Sequence, residues 1–217
     1  MINNAYSETS ALYYSQSRSD ICGQISLGPN RVLDLGCGAG AVGRTLYELK
    51  KASEVTGVEI YPPAAAEALK SYAEVHQGDL ESLELNYSGY FDYVLCGDIL
   101  EHLKDPIAQI CRIHRWLKPG GRVVCSLPNV RYWQVIFNLV FLGRWTYEDA
   151  GIMDRTHLRF YTRRSAEQLF IRQGFQIEHC ALSNIGAKRR ILNRLTFGVF
   201  VEFLGKQVLL VARKKRD

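Results

Sequence analysis

The sequence predicts an α/β fold in which a mostly parallel sheet of seven strands carries helices on both faces. Apolar runs alternate with helical patterns between residues 31 and 128, and a glycine-rich turn joins the first run to its helix. The chain has 217 residues, 47% of them hydrophobic and 23% charged, which is typical of a globular protein with one large core. Such alternation favours parallel strands linked by helices.

Each predicted strand is a short apolar run. The seven runs are residues 31–35, 54–60, 73–79, 91–98, 122–128, 174–183 and 207–215. Helical patterns follow the first strand at 39–51, follow the fourth at 107–117 and precede the sixth at 165–174. The Pro62-Pro63 pair opens the helix after the second strand, because a proline in the first helical turn leaves no hydrogen bond unmade. The stretch Lys118 to Gly121 is predicted to be a turn.

The regular alternation ends after the fifth strand. Residues 129–162 form an aromatic-rich insertion that we expect to act as a lid over the substrate, and residues 1–30 should form a helical cover within a single domain, 1–217. Two apolar stretches, 135–143 and 191–205, fall short of the ~20 apolar residues that a membrane-spanning helix needs. We expect them to pack in the lid or the core, with at most peripheral membrane contact.

The net charge of +5 is concentrated in short basic clusters at residues 155–164, 188–190 and 213–216. Such clusters indicate a solvated surface, or else contact with an anionic substrate or an acidic membrane face. The six cysteines are scattered, and their spacing matches neither a disulfide framework nor a zinc site. The N-terminus lacks the basic and apolar regions of a signal peptide. A cytoplasmic protein is therefore expected.

The turn after the first strand is compatible with two kinds of cofactor. Gly38, Gly40 and Gly43 fit the G-x-G-x-x-G pattern of dinucleotide-binding turns. Asp34, however, lies two residues before Gly36, where a carboxylate would repel a pyrophosphate. A nicotinamide dinucleotide is one candidate, and a positively charged cofactor is the other.

Acidic residues follow four successive strands: Asp34, Glu59, Asp79 and Asp98. The carboxyl ends of parallel strands lie at one edge of an open α/β sheet, where ligands bind. Glu59 could accept hydrogen bonds from both hydroxyls of an adenosyl ribose, a role that would suit NAD equally well. A row of carboxylates nevertheless favours a ligand with an ammonium and a sulfonium group, and S-adenosylmethionine has both.

These motifs are similar to those of the class I S-adenosylmethionine-dependent methyltransferases, which have a Rossmann-like fold. The resemblance covers roughly residues 11–183 and rests on five segments in order: Asp34–Gly40, Glu59, Gln77–Leu80, Phe91–Leu103 and Leu117–Gly121. It implies that the cofactor is bound by Asp34, Gly36, Gly38, Gly40, Glu59, Ile60, Asp79, Leu80, Gly97 and Asp98. Asp79 would accept a hydrogen bond from the adenine amino group, and Leu80 would cover the ring. Glu59 or Asp98 could instead cap a following helix.

Three further segments resemble a bacterial subgroup of these enzymes: Tyr13–Arg18, Ser126–Arg131 and Gly143–Thr162. Members of this subgroup often accompany, or are fused to, glycosyltransferases of surface-polysaccharide pathways. The resemblance implies that Tyr14 and Arg18 cover the carboxylate end of the cofactor. It also implies a glycosyltransferase as a possible partner.

Two histidines are the candidate catalytic residues. His157 lies at the end of the insertion, and His102 follows the fourth strand. Either could accept the proton of an acceptor hydroxyl, as could the carboxylate of Glu101 or Asp98. The alternative for each histidine is a purely structural, packed side chain.

The acceptor is predicted to lie against Tyr132, Trp133, Arg155 and Arg159. Aromatic faces suit sugars or flat rings, and arginines suit phosphate or carboxylate groups. Nucleic acid is not expected as a partner, because Cys96–Ile99 lacks the Pro-Pro-aromatic signature of amino-methylating DNA enzymes and no Pro-Cys pair occurs in the chain.

The sequence thus predicts methyl transfer from S-adenosylmethionine to a small-molecule or glycan acceptor, at an oxygen and without a metal ion. Two alternatives remain open at this point. One is a nicotinamide-dependent oxidoreductase that uses the same glycine turn. The other is a non-catalytic adaptor that keeps the cofactor fold and docks on a glycosyltransferase or a membrane through residues 188–205.

Overall fold

Seven strands form one sheet in the computed structural model, which describes residues 18–186 and 193–216. The strands are β1 Arg31–Leu35, β2 Glu54–Glu59, β3 Glu74–Gln77, β4 Phe91–Gly97, β5 Leu117–Pro128, β6 Phe175–Ser183 and β7 Gln207–Lys214. Their order across the sheet is β3-β2-β1-β4-β5-β7-β6. The first five strands pair in parallel, and β7 runs antiparallel to both β5 and β6. The predicted mostly parallel α/β sheet is confirmed.

Helices connect the strands where the sequence pattern predicts them. Their bounds are α1 Ser19–Cys22, α2 Ala41–Glu48, α3 Pro62–Ala68, a 3-10 helix Leu100–His102, α4 Pro106–Trp116, α5 Trp133–Leu142, α6 Arg163–Ile171 and α7 Val201–Leu204. Local capping fixes several starts. The Asp105 side chain accepts a hydrogen bond from the Ala108 N–H at the start of α4. Thr162 and Ser165 form a reciprocal capping box at the start of α6.

The start of β5 differs from the prediction. Leu117 already pairs with Phe91, and pairing resumes between Arg122 and Tyr93. The predicted turn, Lys118 to Gly121, is therefore an irregularity inside β5. The backbone at this irregularity still has a conformation typical of a turn, because Gly120 has a φ of 79°.

The core is divided between the two faces of the sheet. Neighbouring β1 residues Val32 and Leu33 belong to different buried clusters, as expected when side chains alternate along a strand. The cluster with Leu33 includes Trp116 of α4 and Phe170 of α6. The cluster with Val32 includes Leu46 of α2. Helices packed on both faces of the sheet thus fix the position of its edge, where the acidic residues lie.

The two apolar stretches do not pack as predicted. On α5 only Val135 is buried, whereas Phe137 and Phe141 are 45% and 72% exposed. Phe197, in the second stretch, is 96% exposed, although Leu204 is buried. Core packing was therefore the wrong expectation for most of these side chains, because apolar composition alone does not say which surface covers them. Among the residues that the structure describes, no helix is long and apolar enough to cross a membrane.

Candidate functional site

The glycine turn lies between the end of β1 and the start of α2. Gly36, Gly38 and Gly40 all have positive φ, at 69°, 54° and 85°. A Cβ on Gly36 would lie 2.2 Å from the Cδ1 atom of Ile99, which follows β4. The turn therefore needs glycine for its backbone conformation and for its contact with the neighbouring strand end.

Asp34 is buried at the end of β1 beside this turn. The Tyr72 hydroxyl donates a 2.6 Å hydrogen bond to its Oδ2 atom and accepts one from the Gly43 N–H. Burial, reinforced by the nearby Glu59 charge, raises the pKa of Asp34 to about 7, against the opposing effects of the Tyr72 hydrogen bond and of Arg18. A positively charged group placed here would favour the ionised carboxylate. Tyr72 was missed by the sequence analysis, because it lies outside every motif.

Glu59 holds the turn in place from the end of β2. Its Oε2 atom accepts the Gly38 N–H at 2.9 Å, and its Oε1 atom accepts the Tyr61 N–H at 2.9 Å. A carboxylate has about four acceptor positions, so each oxygen keeps a further lone pair for a ligand hydroxyl. Ile60, the adjacent predicted contact, is 60% exposed. Glu59 is not the N-cap residue of α3, because that position is held by Tyr61, whose own side chain makes no cap hydrogen bond.

Asp79 and Leu80 follow β3 at the same edge. The Asp79 side chain is exposed, and its Oδ1 atom accepts the Glu81 N–H at 2.9 Å. Leu80 packs into the core with 9% exposure. That Asp79 and Leu80 contact an adenine ring stays a prediction.

Asp98, after β4, is engaged on both carboxylate oxygens. Arg18 donates to Oδ2 at 2.8 Å, Ser126 donates to Oδ1 at 3.0 Å, and the Gln207 amide lies within 3.0 Å of both. The alternative role of Asp98 as a helix cap is wrong, because Ile99 caps the 3-10 helix. Arg18 thus ties the chain entering α1 to the ends of β4 and β5.

Gly97, at the end of β4, leaves room for this arrangement. A Cβ there would lie 3.0 Å from the Arg18 Nη1 atom and 2.9 Å from the Ile21 Cδ1 atom. Tyr14, the other residue predicted to cover the cofactor, lies outside the described residues.

The two candidate catalytic histidines are neighbours in space. The ring centroids of His102 and His157 are 4.8 Å apart. The Nδ1 atom of His157 lies 2.9 Å from the Ile152 carbonyl oxygen, and that of His102 lies 3.3 Å from the Thr156 carbonyl oxygen. Burial, followed by the proximity of His157, lowers the pKa of His102. An imidazole whose Nδ1–H points at a carbonyl carries its lone pair on Nε2, and the positions of both rings fit this arrangement.

Glu101 lies beside this pair and is fully buried. Neither carboxylate oxygen has a hydrogen-bond partner among the residues that the structure describes. Burial and, after it, the Asp98 charge raise the pKa of Glu101 well above its usual range. Its backbone carbonyl accepts the N–H groups of Leu158 and Arg159, so the end of the insertion is fastened directly over it.

The four residues predicted to contact the acceptor differ in their exposure and in their partners. Tyr132 is buried, with the Lys206 ammonium 5.6 Å from its ring centre, and Trp133 is 40% exposed. Arg155 pairs with Asp149 at 2.5 Å. Arg159 donates to the Lys104 carbonyl at 2.8 Å. The structure therefore places Tyr132 and Trp133 side by side, with ring centres 6.1 Å apart, and gives each arginine a different partner.

A different aromatic residue links the insertion to the histidines. Phe160 lies with its ring centre 6.4 Å from that of His157 and 5.2 Å from that of Trp145. Tyr147 also faces Phe160, at 6.3 Å. These rings form an aromatic wall that leads from the exposed Trp145 and Tyr147 to the buried His157. Phe160 lies within the segment Gly143–Thr162, for which the sequence predicts no role at this position.

Comparisons with known proteins agree with this geometry. Residues 13–180 match the family described as "Methyltransferase domain". The chain is 35% identical over 124 residues to a protein of Xanthomonas oryzae pv. oryzae named ubiquinone biosynthesis O-methyltransferase, an alignment that covers 54% of this chain and 48% of the relative. The chain thus spans about half the length of the curated relatives it matches.

Solved structures show the same fold. An S-adenosylmethionine-dependent methyltransferase from Mesorhizobium loti aligns with a TM-score of 0.65 at 21% identity, over 90% of this chain and 96% of that one. One from Archaeoglobus fulgidus aligns with a TM-score of 0.65 at 19% identity, over 94% of each chain.

Proposed function

This chain belongs to the S-adenosylmethionine-dependent methyltransferase family, and we propose that it transfers a methyl group to an oxygen of a small-molecule or glycan acceptor. The observation that carries the proposal is the juxtaposition of two features at one sheet edge. One is the glycine turn with its acidic neighbours, and the other is the histidine pair formed by the half-buried His102 and the buried His157. The first suits a positively charged methyl donor, and the second suits a hydroxyl that must lose its proton.

The residues present fit the donor. Glu59 is fixed by two backbone N–H groups and keeps lone pairs for the ribose hydroxyls. Asp34 would face the positive charge of the methionine portion, and Asp79 with Leu80 would receive the adenine. When bound, S-adenosylmethionine supplies a methyl carbon activated by its sulfonium, which leaves as a neutral thioether after transfer.

Ionisation of Asp34 should make donor binding depend on pH. Because its pKa is about 7, the carboxyl is mostly protonated at about pH 6 and mostly ionised at about pH 8. Affinity for the cation should therefore rise across this interval and fall at higher pH, as the donor's amino group loses its own proton near about pH 8. Calorimetric titrations at several pH values measure this profile. The Asp34→Asn variant should lose the rising limb, and an identical profile in the variant would contradict the assignment.

On the acceptor side, the chain's own residues orient the nucleophile and remove its proton. His157 and His102 each hold Nδ1 near a backbone carbonyl, so that Nε2 of either ring can accept the proton of an acceptor hydroxyl. With an acceptor bound, the aromatic wall of Trp145, Tyr147 and Phe160 would align a flat ring or a sugar.

Two acceptor classes are compatible with this arrangement. The curated relatives are named ubiquinone biosynthesis O-methyltransferases, which favours transfer to oxygen and an acceptor related to a quinone. The resemblance to enzymes of surface-polysaccharide pathways favours a sugar hydroxyl and a glycosyltransferase partner. Both classes present a hydroxyl next to a flat or apolar face.

The test is turnover of methyl-labelled S-adenosylmethionine by the full chain with two acceptor panels, one of catechol-type phenols and one of nucleotide sugars and cell-envelope glycans. We expect labelled product, identified by mass spectrometry as an O-methyl derivative, in one panel. The control is the same reaction without acceptor. Donor binding without label transfer to either panel would favour the non-catalytic adaptor instead.

A further inference from the structure

We propose that Glu101, His102 and His157 bind a divalent transition-metal ion next to the acceptor. The three side chains each offer one ligand atom, and these atoms all lie within 4.8 Å of one another. Ligands of a tetrahedral ion bound at ~2.1 Å are about 3.4 Å apart, so the ligand atoms that lie furthest from each other must approach by up to roughly 1.4 Å. The ion's role in catalysis rests on the proposed function, whereas the binding site does not.

Glu101 provides the evidence that this group is more than a packed cluster. Its side chain is fully buried, and both carboxylate oxygens lack a hydrogen-bond partner among the described residues. An uncompensated carboxylate is expensive to bury, whether it is ionised or protonated without a partner. A structural carboxyl–histidine pair would have formed a hydrogen bond here. A bound cation supplies the missing partner for the buried charge.

The histidines have the second contacts that metal ligands need. A ligating imidazole almost always donates its other ring N–H to a carbonyl or carboxylate, which fixes the ring and leaves a lone pair for the ion. The Nδ1 atoms of His157 and His102 lie 2.9 Å and 3.3 Å from the backbone carbonyls of Ile152 and Thr156. The Thr156 hydroxyl lies a further 3.1 Å from Nδ1 of His102. The Nε2 atoms then carry the lone pairs.

The surrounding backbone keeps the ligands in place. Glu101 and His102 are adjacent on the 3-10 helix, and the Glu101 carbonyl accepts the N–H groups of Leu158 and Arg159, directly after His157. The nearby carboxylate of Asp154 adds negative charge, which attracts a cation, whereas that of Asp98 is paired with Arg18.

The donor set indicates which ions fit. Two imidazole nitrogens and one carboxylate oxygen suit zinc, manganese or similar transition metals, whereas Mg²⁺ and Ca²⁺ prefer oxygen ligands. Such an ion would act as a Lewis acid that holds an acceptor oxygen and lowers the pKa of its hydroxyl. Because both Nε2 lone pairs would then be bound to the ion, the hydroxyl proton would pass to solvent and not to His102 or His157. This proposal replaces the sequence-based expectation of a metal-independent enzyme. That expectation depended on ligand spacing along the chain, and His157 joins the pair only through the fold.

The experiment is calorimetric titration of the metal-depleted full chain with MnCl₂, ZnCl₂ and MgCl₂ separately, together with the electron paramagnetic resonance signal of Mn²⁺. We expect one Mn²⁺ or Zn²⁺ per chain, bound at least about ten-fold more tightly than Mg²⁺. Glu101→Gln and His157→Gln should each weaken binding by about ten-fold or more. The matched control is His179→Gln on β6, which is exposed and should bind like the wild type. Absence of binding to the wild type, or unchanged binding in both variants, would overturn the site.

Two measurements distinguish the loss of metal binding from a loss of folding and from a failure of the proposed function. The ion should raise the melting temperature of the wild type but not that of Glu101→Gln, because a ligand stabilises only the state that binds it. An equal shift in both proteins would count against the site. S-adenosylmethionine affinity is measured in the same samples. If the chain binds the donor and transfers methyl groups but does not bind a metal ion, the metal site alone is refuted. If it binds the metal ion but transfers no methyl group, the proposed function alone is refuted.

Discussion

Replacement of Gly36 with alanine should lower the free energy of unfolding by about 2–5 kcal/mol and weaken S-adenosylmethionine binding by at least about 100-fold. The cause is twofold. Gly36 has a φ of 69°, which strains any residue with a Cβ, and the new methyl group would lie 2.2 Å from the Ile99 Cδ1 atom. Ile99 would have to move, and with it the segment that carries Asp98 and Glu101. Urea denaturation and calorimetric titration measure the two effects.

Two further variants separate strain from steric conflict. Gly89 also has a positive φ, 59°, but a Cβ there meets no atom within 4 Å. Gly89→Ala should therefore cost only the strain, of order 1 kcal/mol, and leave donor affinity unchanged. In the double variant Gly36→Ala/Ile99→Ala, part of the lost donor affinity should return. Equal stability losses at Gly36 and Gly89 would show that the contact with Ile99 is unimportant.

Glu59→Gln should weaken donor binding by about 10- to 100-fold without unfolding the protein, because hydrogen bonds to a charged group contribute roughly 1.5–3 kcal/mol. The carboxylate accepts two backbone N–H groups, from Gly38 and Tyr61. A glutamine amide has only one oxygen, so its NH₂ group would face one of these donors. The substitution therefore disturbs the turn as well as removing the charge.

The matched control for Glu59 lies on the same strand. Glu54 begins β2 and accepts a hydrogen bond from Tyr90, away from the site. Glu54→Gln should leave donor affinity at the wild-type value, with circular dichroism confirming the fold of both variants. Comparable weakening in both would indicate a general effect on the sheet and would contradict a specific role for Glu59.

Much of the fold could be predicted because its strands are short apolar runs between clear turn and helix signals. The first strand was placed at 31–35, as observed, and the ends of β2 and β4 were within one residue. The exposure of α5 could not be predicted. Its composition resembles that of a buried helix, and burial depends on whether another element packs against it.

The site was predictable where it depends on strand ends. Asp34, Glu59 and Asp79 share one sheet edge because parallel strands end there. The contact between Tyr72 and Asp34 could not be predicted, since Tyr72 is distant in sequence and belongs to no motif. The proximity of His157 to His102 likewise depends on how the insertion folds back over β4.

The central claim is that the carboxylates at this sheet edge bind S-adenosylmethionine. Calorimetric titration of the wild type and of the double variant Glu59→Gln/Asp79→Asn with S-adenosylmethionine tests it most directly. We predict stoichiometric binding to the wild type and at least about 100-fold weaker binding to the double variant. Undiminished affinity after both neutralisations would contradict the claim.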